Sequence, residues 1–299
     1  MNRLRNDRGQ AAVLTVIFLV ALLGAAAMVL DVGSWFRAQR STQSGADAAA
    51  LAAAHGLPES TGTASALAAE YLGKNGGGTA LVTFSSKTVA NDTVTVKVTR
   101  QAPGVFSKIF GINSVDVHAK AAARSGNPDQ ARYAAPIAVD IKHPMLQCKP
   151  VPCFGTATQL DLQKVGPGAF RLLNLDGSKG GTGGKIDAEW IPRGYDGYMP
   201  LAWYGSDPGA AFNDSKFKSA LNMRIGDELL FPVYDFTKGQ GANFEYHVIG
   251  WVGFVVISFE AKGNKGTVDG HFVRVIWEGI LSTSGGAKDF GVRAIQLVE

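Results

Sequence analysis

From Gln10 to Leu30 the chain carries no ionisable side chain, and no other stretch constrains its folding as strongly. The run is about 20 residues long, the length a helix needs to cross the ~30 Å hydrocarbon core of a bilayer. A single pass through lipid must be helical, because every backbone N–H and C=O then finds its partner within the segment. Arg3, Arg5 and Arg8 precede the run and Asp31 follows it. That arginine excess predicts a cytoplasmic N-terminus, residues 1–9, a span over 10–30, and an extracytoplasmic remainder held to the cell membrane at one end. A secretory signal peptide competes with this reading, since Ala25, Ala26 and Ala27 form a small-residue cleavage pattern after an apolar core. Apolar residues continue through Met28, Val29 and Leu30, which favours a retained anchor.

The helical pattern does not stop at the membrane. Residues 31–56 read as its continuation, with Val32, Trp35 and Phe36 where an aromatic belt belongs. The alanine-rich stretch from Arg37 to His55 favours helix, and Gly56 followed by Pro58 ends it. A helix from Gln10 to His55 would reach about 70 Å at ~1.5 Å per residue. Gly45, Ala48, Ala49 and Ala52 recur at three- and four-residue spacing and form one face of small residues. Such a face lets another backbone come close. Two readings follow: a surface for association with a neighbouring helix, or a helix lying on its own domain.

Beyond the stalk, residues 57–125 predict a small α+β domain. A helix is expected over 62–74 and a strand over 79–84. A second strand from Asp92 to Val98 buries Val94, Val96 and Val98 by alternation, with Asn91 and Asp92 as the turn before it. A short helix from Pro103 to Phe110 and a strand from Val115 to Ala121 complete the domain. His118 shares the polar face of that last strand with Asp116 and Lys120 and reads as solvated. Residues 126–130 form a candidate linker. From 131 to 299 the helical signal nearly vanishes, apart from Ser215–Asn222. Strands are expected over 134–141, 170–175, 228–234, 244–259, 271–281 and 290–298, with the fifth buried on both faces. The expected class is α+β: a long transmembrane and stalk helix, a small α+β head, then a mostly-β sandwich or barrel.

Partner classes follow from charge. A net charge of +4 over 299 residues, without a Lys/Arg block, excludes nucleic acid as the expected partner. The two cysteines, Cys148 and Cys153, bracket a proline-stiffened loop, and in an oxidising space they predict a local disulfide. A metal reading would need His118 and His143 as further ligands, and nothing fixes their geometry, so no metal site is expected.

Other chemistry is missing from the pattern. The glycine-rich stretch Gly177–Ile186 places Ile186 after Lys185 where a phosphate loop requires Ser or Thr, and reads as a flexible loop. Asn174–Gly177 is a fragment of a calcium-loop pattern without its distal Glu, hence a turn. His247 and His271 fall within strands. No His-Glu-x-x-His and no Gly-x-Ser-x-Gly occurs. No residue is assigned a catalytic role, no cofactor is called for, and the chain is expected not to be an enzyme. Trp190, Tyr195, Tyr198, Trp203 and Tyr204 form an aromatic-dense stretch. Exposed, they would make a stacking platform for a glycan or a cell-surface partner; buried, they are packing under long loops.

With these parts laid out, the chain resembles the TadE/TadG-like group of Flp-pilus (tight adherence) assembly proteins, on its TadG-like side. The resemblance is carried by Arg8–Val13 opening the apolar helix, by Asp31-Val32-Gly33 at its exit, and by Gln43–Ala52. Gly104–Ile112 and Val117–Ala123 also fit. The later stretches Gly168–Gly177, Arg224–Asp227 and Tyr246–Trp251 resemble extensions found on some members. The resemblance implies an envelope protein that assembles or anchors a thin adhesive pilus, partnered by the membrane and by other assembly subunits or pilin-like helices. Pilin-like members carry a Gly before the apolar helix, where prepilin peptidase cuts, and a Glu five residues on. Here Gly9 is followed at that distance by Leu14, a departure that favours the membrane-retained TadG-like role. The alternative function is a β-rich adhesin module that binds glycan or protein through the aromatic stretch.

Overall fold

A computed structural model describes residues 7–149, 152–162, 171–180, 185–207, 215–262, 265–283 and 285–298. Arg3 and Arg5, the start of the stretch Gly168–Gly177, and residues 181–184 of the glycine-rich loop lie outside the described residues. The chain divides into two compact units. One contains Met1–Ser85, Thr93–Ala123 and Leu297–Glu299; the other contains Ser86–Asp92 and Arg124–Gln296.

The first unit is organised on helix α1, Asp7–Ala54, 48 residues without a break. From Val13 to Leu30 its large apolar side chains are exposed. From residue 42 onward one face is buried, through Thr42, Ala46, Ala49, Ala50 and Ala53. Helix α2, Thr61–Lys74, returns along that face and buries Ala64, Ala68 and Leu72. Its start is set by Ser60, whose side chain accepts the Thr63 N–H at 3.1 Å. Strands β1, Thr79–Ser85, β2, Thr93–Pro103, and β3, Ser114–Gly126, follow, with β2 between the other two. Alternation in β2 buries Val94, Val96 and Val98 as the sequence predicts. A 3-10 turn, Ser107–Phe110, closed by the left-handed Gly111, connects β2 to β3.

The second unit is mostly β. Its strands are β4, Pro128–Ala131, β5, Val139–Asp140, β6, Ala157–Asp161, β7, Met199–Pro200, and β8, Trp203–Gly205. They continue with β9, Glu228–Lys238, β10, Glu245–Lys262, β11, Lys265–Val273, β12, Val275–Ile276, β13, Gly279–Leu281, and β14, Val292–Leu297. The main sheet runs β5-β9-β10-β11-β6, with β8 also paired to β10. At its centre Phe254 lies opposite Phe272, and Phe231, Phe254 and Phe272 stack at 5.6 and 5.2 Å. A second sheet runs β13-β4-β7, and β12 pairs in parallel with β14. The helix expected at Ser215–Asn222 is present and buries Phe217, Ala220 and Leu221.

The α+β class and the long helix stand. Five local expectations change. The strand expected over 170–175 is not formed in its described residues, where Leu172 and Leu173 make only isolated bridges to Ile137 and Ser206. The short helix expected from Pro103 to Phe110 starts later, since Pro103 ends β2 and the 3-10 turn begins at Ser107. Residues 126–130, read as a linker, are strand except at Asn127: β3 runs through Gly126 and β4 starts at Pro128. Pro128 misled the reading because a proline at the first position of a strand removes no ladder hydrogen bond. The expected strand over 134–141 shrinks to β5, since Pro136 has no N–H to offer a ladder. The expected 271–281 strand divides among β11, β12 and β13, and Ile276 and Ile280 are exposed, so the segment is not buried on both faces.

Candidate functional site

Where α1 leaves its apolar run, four side chains one turn apart face the β2–β3 hairpin. Asp31 is 2% exposed. Its carboxylate accepts the backbone N–H of Ser107 at 2.6 Å and that of Val105 at 3.1 Å. Trp35 Nε1 donates to the Pro103 carbonyl at 3.3 Å. Gln39 Nε2 donates to the His118 carbonyl at 2.5 Å, and Gln43 Nε2 to the Lys120 carbonyl at 2.9 Å. The spacing of 31, 35, 39 and 43 keeps all four on one helix face. His118 and Lys120 are two residues apart on β3, so both carbonyls lie on the same edge. This ladder joins helix to sheet with side-chain-to-backbone hydrogen bonds. Sequence reasoning missed it. The available signal was a lone Asp at the end of a long apolar run, followed by glutamines at four-residue spacing.

The small-residue face lies next along the helix. Gly45, Ala49 and Ala52 are buried and Ala48 is half-buried. A Cβ on Gly45 would stand 3.2 Å from the Asn75 carbonyl and 3.4 Å from Leu72 Cδ1. Most of this face is therefore occupied by α2 of the same chain. Gly56 is tighter: a Cβ there would stand 2.7 Å from the Ala64 nitrogen and 3.2 Å from the Ser60 carbonyl. Of the two readings given for the face, the intrachain one accounts for its burial.

In the second unit the aromatic stretch does not form one surface. Trp190 and Tyr204 belong to the buried core, and Tyr195 packs partly against it, edge-on to Trp190 at 5.7 Å. Burial pushes the Tyr204 hydroxyl well above its ordinary pKa. Tyr198 is exposed and bonds Glu278 at 3.1 Å, within an ion-pair cluster that joins Arg132 to Asp196 and Glu278. Trp203 lies elsewhere, against His247 at 4.9 Å and under Lys238 Nζ at 3.9 Å. Trp190, Tyr195, Tyr133, Glu189, Arg193 and Asp196 line an open cleft of about 360 Å³. Cys148 and Cys153 are joined by a disulfide across five positions of sequence. Among the described residues no group of three His, Cys, Asp or Glu side chains is placed to hold a metal ion.

The unbroken helix, bare at one end and packed at the other, is the feature that comparison with known proteins picks out. Residues 9–56 match the family model described as putative Flp pilus-assembly TadE/G-like. The TadE/G-like stretch starts at the first turns of α1 and ends at Gly56, the close-contact position against α2. The resemblance read at Gly104–Ile112 and Val117–Ala123 lies beyond the matched residues. No curated protein and no solved structure matches the chain. The described residues contain one helix long and apolar enough to cross a membrane, within Gln10–Ala54.

Proposed function

We propose that this chain is a non-enzymatic, single-pass membrane protein of Flp/Tad-type pilus assembly, with its N-terminus in the cytoplasm and both folded units outside. The observation that carries this is the TadE/G-like match on a helix that exposes its large apolar side chains from Val13 to Leu30 and buries one face in a folded head from Thr42 onward. A helix built that way transmits position: whatever fixes the span in the bilayer also fixes the head above it. Leu14 at the position where a pilin carries Glu supports retention in the membrane over polymerisation. Its partners are then other assembly subunits, met through surfaces of the head and of the β-rich unit.

Membrane fractionation with protease treatment of intact cells tests the topology. Retention after carbonate extraction, with both folded units digested from outside, is expected. Release of a soluble chain trimmed after Ala27 overturns the reading. Deletion of the gene should abolish or reduce surface pili, and pili at normal number would remove the assembly role. A second reading, a glycan- or protein-binding surface on the β-rich unit, keeps the support of the cleft beside Trp190 and Tyr195. Tryptophan fluorescence across a glycan panel tests it; no change with any ligand would remove it.

A further inference from the structure

The hairpin that Asp31 holds carries the most exposed apolar side chains of the head. Ile109 is 82% exposed and Phe110 72%, and Val105 and Ile112 are exposed beside them. This is not a loose loop. Gly104 N–H bonds the Asn113 carbonyl at 2.9 Å, and Ile112 N–H bonds the Ser107 carbonyl at 3.1 Å. The Ser107 hydroxyl also donates to the Ile112 carbonyl at 3.2 Å, and Asp31 clamps the N–H groups of Val105 and Ser107. A Cβ on Gly104 would overlap the Ser107 hydroxyl, so only glycine admits this closure. The fold therefore fixes four large apolar side chains in an outward position.

Their place along α1 says what covers them. Asp31 is the first residue after the uncharged run, so its hydrogen-bonded partners sit at the level where the helix leaves hydrocarbon. At the same level α1 exposes Val32 and Phe36. Lys108, on the hairpin, and Arg37, just past Phe36, are exposed as well. An apolar tip with aromatic rings and flanking cations is the composition of a membrane-interface anchor.

We propose that the hairpin tip, through Ile109 and Phe110, inserts into the outer leaflet of the bilayer that α1 crosses. This gives the head a second attachment to lipid beside its helix. The inference rests on the membrane-spanning reading of α1. Two attachment points fix the tilt and rotation of the head relative to the membrane plane, which one helix cannot do. α2 stands clear of the surface: its C-terminal end meets α1 at Gly45, about 21 Å further along the axis than Asp31 at ~1.5 Å per residue.

The test uses the full chain in liposomes, with single nitroxide labels at Leu19→Cys, Ile109→Cys, Phe110→Cys and Glu70→Cys. The native cysteines are paired and do not react. Relaxation by oxygen, which partitions into lipid, is compared with relaxation by a water-soluble nickel chelate. Oxygen should dominate at 19, 109 and 110, and the chelate at 70. Chelate dominance at 109 and 110 with oxygen dominance at 19 overturns the insertion and leaves the span standing. Chelate dominance at 19 removes both. If protection at 109 and 110 disappears as protein is diluted into excess lipid, a second copy covers the tip, and the lipid assignment is wrong.

Discussion

The carboxylate of Asp31 accepts the backbone N–H of Ser107 at 2.6 Å across 76 positions of sequence. One residue thus terminates the apolar run and fixes the hairpin of the head. The apolar run and the fold are coupled at that point: a rotation of the apolar half of α1 about its axis carries the hairpin with it. Trp35, Gln39 and Gln43 repeat the coupling one turn at a time.

Removing the Asp31 carboxylate should release residues 104–112 first. Asp31→Ala leaves the N–H groups of Val105 and Ser107 without their acceptor, and amide exchange in the hairpin should rise on the order of tenfold or more, since bonds to a charged acceptor are the stronger kind. Asp31→Asn keeps one acceptor oxygen and should fall between. Exchange in α2 should change little in either variant. Equal acceleration throughout the head would show that Asp31 holds the whole fold and not the hairpin.

Gly56 and Gly33 should behave oppositely. A methyl at Gly56 meets the Ala64 backbone at 2.7 Å, an atom that cannot move without shifting α2. Gly56→Ala should destabilise the head by about 1–3 kcal/mol, the usual cost of overpacking. Gly33 has nothing within 4 Å of an added Cβ, so Gly33→Ala should be neutral or stabilising by up to ~1 kcal/mol through helix propensity. Urea unfolding of the full chain in detergent micelles reads both.

Asp92 is fully buried, and its carboxylate accepts N–H groups from Lys87, Thr88 and Val89 at 2.8, 2.7 and 3.1 Å, with the Thr88 hydroxyl at 2.7 Å. Asp92→Ala should therefore cost about 1–3 kcal/mol and open the 86–91 loop, the penalty for buried donors left without an acceptor. Protease nicking between 86 and 91 in Asp92→Ala, absent in Asp92→Asn, is the expected pattern.

What the sequence disclosed depended on how local the cause was. The apolar run, the α2 region, the alternating valines of β2 and the helix Ser215–Asn222 are set by neighbouring residues, and each is where periodicity places it. The partner of Asp31 is not local, and no spacing rule connects position 31 to position 107. The face of Gly45 and Ala49 was visible as a face, but its occupant is a later segment of the same chain. The aromatic stretch was visible as composition only. Its residues come from turns and short elements without a fixed period, so burial of Trp190 and exposure of Tyr198 are decided by tertiary packing.

The β-rich unit should lose stability on mild acidification through His143. Its Nδ1 accepts the Met145 N–H at 3.2 Å, and its ring stands edge-on to Phe272 at 5.1 Å. Burial lowers its pKa below the ordinary 6.5, and the nearby Arg171 adds to this, while the Gln159 carbonyl and Asp140 oppose it. The folded state therefore favours neutral imidazole, and protonating Nδ1 would also remove the acceptor that Met145 uses. Between the lowered value and about 6.5 the unfolded chain binds more protons than the folded one, so stability rises with pH across that window and is lost as pH falls through it. Asp176 and Asp289 are held below the ordinary 3.8 and act only at lower pH, which leaves the interval just below 6.5 to histidine. Unfolding midpoints followed from pH 7.5 downward should decline in the native chain. His143→Gln should flatten that decline, and an unchanged slope in the variant would assign the loss to another group.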